Sequence, residues 1–75
     1  MARMITDKER AVVRGDMRGH IKAIWTADTG TSTWEYNFLQ SVERQLDAGK
    51  APANFTDAQI NKLIETYDRI VLHTI

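Results

Sequence analysis

Apolar residues recur at helical spacing in three segments of the chain, and each segment follows a helix-start signal. In the first segment, Thr6 and Glu9 have the spacing of a capping box, in which each side chain satisfies a backbone N–H at the open end of a helix. Successive residues of a helix turn by about 100°, so one face collects the apolar positions. Those positions are Val13, Met17, His20, Ile21 and Ile24. The pattern predicts a helix over about residues 7–25.

The second segment begins with Ser32 and Glu35, which have the same capping-box spacing. Gly49 stands where a helix commonly ends in a left-handed C-cap, so we expect a helix over about residues 33–48. Its apolar stripe consists of Trp34, Phe38, Leu39, Val42 and Leu46.

The third segment has the most complete start signal. Thr56 and Gln59 fit a capping box, and Phe55 and Ile60 occupy the two positions of a hydrophobic staple. The pattern predicts a helix over about residues 57–72. Its apolar stripe consists of Ile60, Leu63, Ile64, Tyr67, Ile70 and Val71.

The connector between the second and third predicted helices is short and contains Pro52, which does not allow a helix to continue easily. Helices joined by so short a loop pack antiparallel. Glu65 and Arg69 lie four residues apart in the order that favours an ion pair along a helix. We therefore predict an all-α fold, a single domain of residues 1–75, in which the second and third helices form an antiparallel hairpin and the first packs across it.

The cysteine and histidine content limits the metal sites and catalytic groups that the chain can form. The chain has no cysteine, which excludes disulfides, thiolate metal ligands and thiol catalysis. His20 and His73 lie too far apart to suggest a local metal pair, so we expect neither metal nor cofactor.

No apolar run approaches the roughly 20 residues that span a bilayer, and residues 1–6 lack the apolar core of a signal peptide. We expect a cytoplasmic protein without membrane contact. Domains this small often depend on a partner subunit, which favours oligomerisation.

Two stretches of the chain share a wider pattern. They read Trp34-x3-Phe38-Leu39-x-Ser41-Val42-x2-Gln45-Leu46-x2-Gly49 and Phe55-Thr56-x2-Gln59-x3-Leu63-x3-Tyr67-Asp68-Arg69-Ile70. Over about residues 34–70 the chain resembles a short helical hairpin of small phage and prophage proteins, also appended to some phage DNA-metabolism proteins. Ala58 departs from that pattern, which has a lysine before the glutamine. The resemblance implies a phage-type accessory protein near nucleic-acid machinery, in the cytoplasm of the host cell, and it carries no catalytic residues.

Basic residues recur every fourth position along the first predicted helix. They are Arg10, Arg14, Arg18 and Lys22. Because a helix rises about 1.5 Å per residue, these charges are spaced about 6 Å apart, which suits a phosphate backbone or an acidic partner. The alternative interpretation is a solvated rim whose alkyl stems shield the apolar face, which Arg10 and Arg14 flank. Residues 1–25 contain six basic and three acidic residues, whereas residues 26–75 contain four basic and seven acidic residues.

A line of small residues follows another side of the same predicted helix. It consists of Ala11, Gly15, Gly19 and Ala23. Each interior glycine costs about 1 kcal/mol relative to alanine, so the pair needs a reason. One reason is the close approach of another backbone, either within the chain or from a second copy. The other is that Gly15 kinks or ends a shorter helix. A continuous helix would have two interacting faces, which favours a homodimer.

The aromatic residues divide into core and surface candidates. Trp34, Phe38 and Tyr67 fall on the apolar stripes and are expected in the core. Tyr36 lies off its stripe and is expected at the surface. Trp25 either caps the core or is an exposed anchor of the kind that dominates protein interfaces.

No enzyme motif is present. Gly30 alone is not a phosphate-binding loop, and Ser32 and Ser41 have no histidine and acid at useful spacing. We expect a non-enzymatic accessory or inhibitor protein that docks on a protein target through the first helix and residues 26–33, with Arg10, Arg14, Arg18, Lys22, Trp25 and Tyr36 as candidate binding residues. The alternatives are direct nucleic-acid binding by the basic residues and a structural subunit of a phage assembly.

Overall fold

The computed structural model of this chain describes residues 4–27 and 31–72. Four α-helices follow in order: α1 (Asp7–Gly15), α2 (Met17–Ala27), α3 (Thr33–Asp47) and α4 (Asp57–Tyr67). A short 3-10 helix, Pro52–Asn54, precedes α4, and a π-helical segment, Asp68–Leu72, continues it. No strand occurs within the described ranges, so the predicted all-α class is confirmed.

The first predicted helix is broken in two at Asp16. The backbone there leaves the helical region, with φ −151° and ψ 53°. The Asp16 N–H donates to the carbonyl of Val13 at 3.0 Å and closes α1, while its own carbonyl accepts from the N–H of His20 at 3.1 Å and opens α2. The Asp16 carboxylate also accepts from the N–H of Gly19 at 3.3 Å. Asp16 therefore ends one helix and is the N-cap of the next, and of the two interpretations of Gly15 the structure has the shorter helix.

The other helix ends follow their predicted signals. The three capping boxes, at Thr6, Ser32 and Thr56, are all formed, which confirms them. Gly49 has a positive φ of 98°, and its N–H donates to the carbonyl of Leu46 at 3.0 Å. The N–H of Lys50 reaches the carbonyl of Gln45 at 2.9 Å. These two bonds form a Schellman motif, so the predicted C-cap of α3 is also confirmed.

One buried cluster holds the helices together. Its members are Val13, Met17, Ile21, Ile24, Leu39, Val42, Phe55, Ile60, Leu63, Ile64 and Ile70. Phe38, Leu46, Tyr67 and Val71 pack against this cluster while partly exposed. The predicted stripes are thus confirmed with one exception. Trp34 was expected in the core but is 57% exposed, because it lies in the first turn of α3, where the stripe runs past the end of the core. Its ring stacks on Phe38 with centroids 5.5 Å apart.

Helix α2 is central to the packing. It contacts α1, α3, α4 and the π-helical segment, and α4 also packs against α1. The expected ion pair between Glu65 and Arg69 is replaced by two others. Arg69 reaches across to Glu35 in the first turn of α3, and Glu65 pairs with Lys62 at 3.4 Å. The Glu35–Arg69 pair links α3 to the π-helical segment.

Candidate functional site

Two residues of the basic row, Arg10 and Arg14, turn toward the start of α4. The Nη1 of Arg10 donates to the Oδ1 of Asn61 at 3.1 Å. The Nη2 of Arg14 donates to the carbonyl of Phe55 at 2.9 Å and to the Oδ1 of Asp57 at 3.0 Å. Their side chains are only 15% and 24% exposed. These two guanidinium groups therefore hold α1 against the beginning of α4, which leaves little of either for a partner.

The other two basic residues stay at the surface of α2. The Arg18 side chain is 60% exposed, and its Nη1 donates to the Oδ1 of Asp47 in α3 at 2.8 Å. Lys22, one turn further along, is exposed. The predicted basic row is thus divided, with α1 contributing to internal packing and α2 presenting its cations to solvent.

Trp25 lies beside these cations and links α2 to α3. Its Nε1 donates to the Oε1 of Glu43, and its ring meets that of Tyr36 edge to face, with centroids 5.2 Å apart at 69°. Trp25 packs against the core cluster, while Tyr36 is 45% exposed, as predicted. The indole is therefore both part of the fold and held in a fixed orientation at its edge.

Two shallow recesses lie beside these side chains, and Glu43 lines both of them. The first, of about 270 Å³, is lined by Arg18, Ile21, Lys22, Trp25 and Glu43. The second, of about 170 Å³, shares Glu43 and adds Arg44. We name the α2–α3 surface as Arg18, Lys22, Trp25, Tyr36, Glu43 and Arg44.

The α2–α3 surface unites four of the six candidate binding residues, Arg18, Lys22, Trp25 and Tyr36, and leaves out the two arginines of α1. It also contains Glu43 and Arg44, which sequence reasoning missed. Their positions gave no signal, because only the packing of α3 on α2 brings Glu43 to Trp25, and Arg44 belongs to the surface through the recess that it lines with Glu43. Of the predicted docking segment 26–33, residues 28–30 lie outside the described part of the chain.

The line of small residues does not lie on one helix, because Asp16 separates Gly15 from Gly19. A methyl group at Gly15 would meet nothing within 4 Å. At Gly19 the added carbon would lie 2.6 Å from the Cγ of Asp16 and would contact its carboxylate closely. The atoms that a methyl group at Gly19 would meet first thus belong to the N-cap of α2 and not to a neighbouring helix. Ala11 is exposed and Ala23 is half-buried.

His20 and Glu35, two further ionisable residues, are bonded to other groups of the fold. The Nδ1 of His20 donates to the carbonyl of Asp16 at 2.8 Å, and its ring packs against Tyr67 with centroids 4.8 Å apart. His73 lies outside the described residues. Burial raises the pKa of Glu35, but hydrogen bonds from Ser32 and the nearby Arg69 outweigh it, so that the pKa of this carboxyl is below its ordinary value. Among residues 4–27 and 31–72, no three histidine or carboxylate side chains cluster as metal ligands would.

The chain is thus all-α, and its helices α2 and α3 carry the aromatic pair Trp25 and Tyr36 next to the basic residues Arg18 and Lys22. None of its described helices has the length and apolar character needed to cross a bilayer. In comparisons with known proteins, no family model matches the chain, and no curated protein or solved structure matches it.

Proposed function

We propose that this chain is a non-enzymatic binding protein of the phage accessory or inhibitor type, which docks on a protein target through the α2–α3 surface. The observation that carries the proposal is the pairing of Trp25 with Tyr36 beside two exposed cations, Arg18 and Lys22. Tryptophan, tyrosine and arginine are the residues most enriched where binding energy concentrates in protein interfaces. The phage context and the cytoplasmic location rest on the sequence resemblance.

The geometry of Trp25 supports this role. Because its Nε1 is bonded to Glu43 and its ring is fixed against Tyr36, the indole loses little conformational freedom when a partner covers it. Arg18 and Lys22 remain exposed at the edge of the same recess, where charges act mainly on association rate and specificity.

Helices α1 and α2 together form one broken segment, in which α2 packs against both α3 and α4 and α1 packs against α4. We propose that α3 and α4 run antiparallel, as expected from the sequence, with α2 packed against both of them. The bend at Asp16 then directs the cations of α1 toward α4 and leaves those of α2 for the target.

Direct nucleic-acid binding has less support. A duplex-binding row would use all four basic residues, but Arg10 and Arg14 are largely buried and bonded to Asn61, Phe55 and Asp57. A structural subunit of a larger assembly would use the same surface and differ only in its partner.

The test is affinity capture from a host lysate with and without nuclease, comparing three forms of the chain. Tyr36→Ala with Lys22→Glu removes exposed groups of the α2–α3 surface. Trp34→Ala is the matched control, because it removes an exposed aromatic side chain from the same helix outside that surface. We expect a protein captured by the wild type and the control to be lost with the double variant, whether or not nuclease is present.

Retention of every captured protein by the double variant would refute the proposal. Loss of capture on nuclease treatment alone would favour the nucleic-acid alternative. Circular dichroism of each form checks that helix content is unchanged.

A further inference from the structure

A groove of about 290 Å³ lies between α1, α2 and the end of α4 with its π-helical extension. Ile64 and Tyr67 contribute to its apolar lining, and Val12 and Leu72 border it. Its charged lining residues are Lys8, Glu9 and Asp68, so both signs of charge are present. We name it the α1–α4 groove. It shares no residue with the α2–α3 surface.

Two large apolar side chains of this groove are left open to solvent. Val12 is 61% exposed and Leu72 is 54% exposed. Val12 protrudes because the apolar face of α1 buries its neighbour Val13 instead. Among the described residues, the other exposed large hydrophobic side chains, Met4, Trp34 and Tyr36, do not line this groove. A small chain thus presents a protruding valine and a mainly apolar hollow side by side.

We propose that the α1–α4 groove is the contact surface of a symmetric homodimer, in which Val12 of each copy enters the groove of the other. A two-fold interface uses the same patch on both copies, so that patch must contain both a protrusion and the hollow that receives it. Val12 and the groove meet this requirement, since Val12 borders the hollow it would fill in the second copy.

Charge gives a second reason for a second copy as the occupant. Lys8 lies one turn before Val12 on α1, and Asp68 lies at the start of the π-helical segment. When two identical patches meet, a patch with both signs can place the lysine of each copy opposite an acidic residue of the other, whereas a patch of one sign would repel itself. This proposal is independent of target binding by the α2–α3 surface. It also moves the expected self-association from the line of small residues to the side of α1 that carries Val12.

The test is the oligomeric state of the full chain, measured by sedimentation equilibrium over a wide concentration range. Val12→Asp and Leu72→Asp each place a carboxylate in the groove, and Trp34→Asp is the control because it places one at an equally exposed site on α3. We expect a monomer–dimer equilibrium for the wild type and the control. Each groove variant should weaken the dimer by more than about tenfold, because a carboxylate that replaces an apolar side chain in the interface must lose its hydration when the dimer forms.

Melting curves at concentrations where all forms are monomeric verify that the variants fold. The use of two groove variants keeps the test valid if one of them unfolds. A wild-type chain that stays monomeric at every concentration would overturn the proposal, and so would equal effects of the groove variants and the control. A monomeric chain that captures a host protein, and loses it with Val12→Asp, would assign the groove to that protein and equally overturn the homodimer.

Discussion

The two glycines on either side of Asp16 should respond in opposite ways to the same substitution. In Gly15→Ala, the new methyl group meets nothing within 4 Å, and the backbone φ of Gly15 is not positive. Alanine at such a position reduces the entropy of the unfolded chain and favours the helix, so we expect a gain of about 0.4–1 kcal/mol in the free energy of unfolding.

Gly19→Ala makes the same gain in helix propensity but displaces the Asp16 carboxylate. The added methyl would lie 2.6 Å from the Cγ of Asp16, so this side chain must leave the Gly19 N–H that it caps at 3.3 Å. Loss of an N-cap costs about 1 kcal/mol, and residual crowding adds to this. The Gly19 variant should therefore be about 1–2 kcal/mol less stable than the Gly15 variant.

Thermal and urea unfolding measure this difference. In a domain of this size, 1 kcal/mol corresponds to roughly 4–8 °C in Tm. The decisive comparison adds Asp16→Ala, which removes both the cap and the collision. In that background Gly19→Ala should stabilise the chain by about as much as Gly15→Ala does. If Gly19→Ala is equally stabilising in the wild-type chain, the carboxylate is not the reason for the glycine and the account of the helix break is wrong.

Four further substitutions test contacts between helices and one helix end. Arg14→Met should lower the free energy of unfolding by about 1–3 kcal/mol, because the Phe55 carbonyl loses a charged donor. Arg18→Met should lower it by less than about 1 kcal/mol, because the ion pair of Arg18 with Asp47 is exposed to solvent. Urea unfolding of both variants measures the difference. Gly49→Ala should cost about 1 kcal/mol in the same assay, because alanine is strained at a φ of 98°. Glu35→Gln tests a pH dependence. The folded pKa of Glu35 is lowered, so its contribution is complete above the ordinary glutamate pKa of about 4.3 and is lost as the pH falls through the folded value. The Tm of the Glu35→Gln variant should therefore fall less than the Tm of the wild type as the pH is lowered through this range. If the two chains have the same dependence of Tm on pH, the ionised Glu35 carboxylate does not stabilise the fold.

Helix starts could be predicted from the sequence because a capping box is a local arrangement. Thr6, Ser32 and Thr56 need only their own N3 residues to form it, and all three do so. The break at Asp16 was harder to predict because the apolar spacing continues across it, from Val13 to Met17. A periodicity argument passes over such a break. The available signal was the residue types, since glycine is common at the end of a helix and aspartate is a favourable N-cap.

The candidate site could be predicted only in part. Lys22 and Trp25 share a recess because they are close on one helix, which spacing alone indicates. The inward turn of Arg14 depends on the Phe55 carbonyl and Asp57, which are distant in sequence. Glu43 likewise reaches Trp25 only through the packing of α3 on α2. Contacts of this kind are set by the tertiary fold, which no local pattern encodes.

The single-residue junction at Asp16 also restricts how the chain can vary in length. Connections between helices commonly tolerate insertions, but here one residue is bonded to both neighbouring helices. With one residue more or fewer at this point, no single residue could make the bonds to Val13, His20 and Gly19 that Asp16 makes now. We expect such a change to alter the orientation of α1 relative to α2, and with it the burial of Val13 and the contact of Arg14 with the start of α4. We expect homologous chains to vary in length at the turns around α3 and to conserve the spacing between α1 and α2.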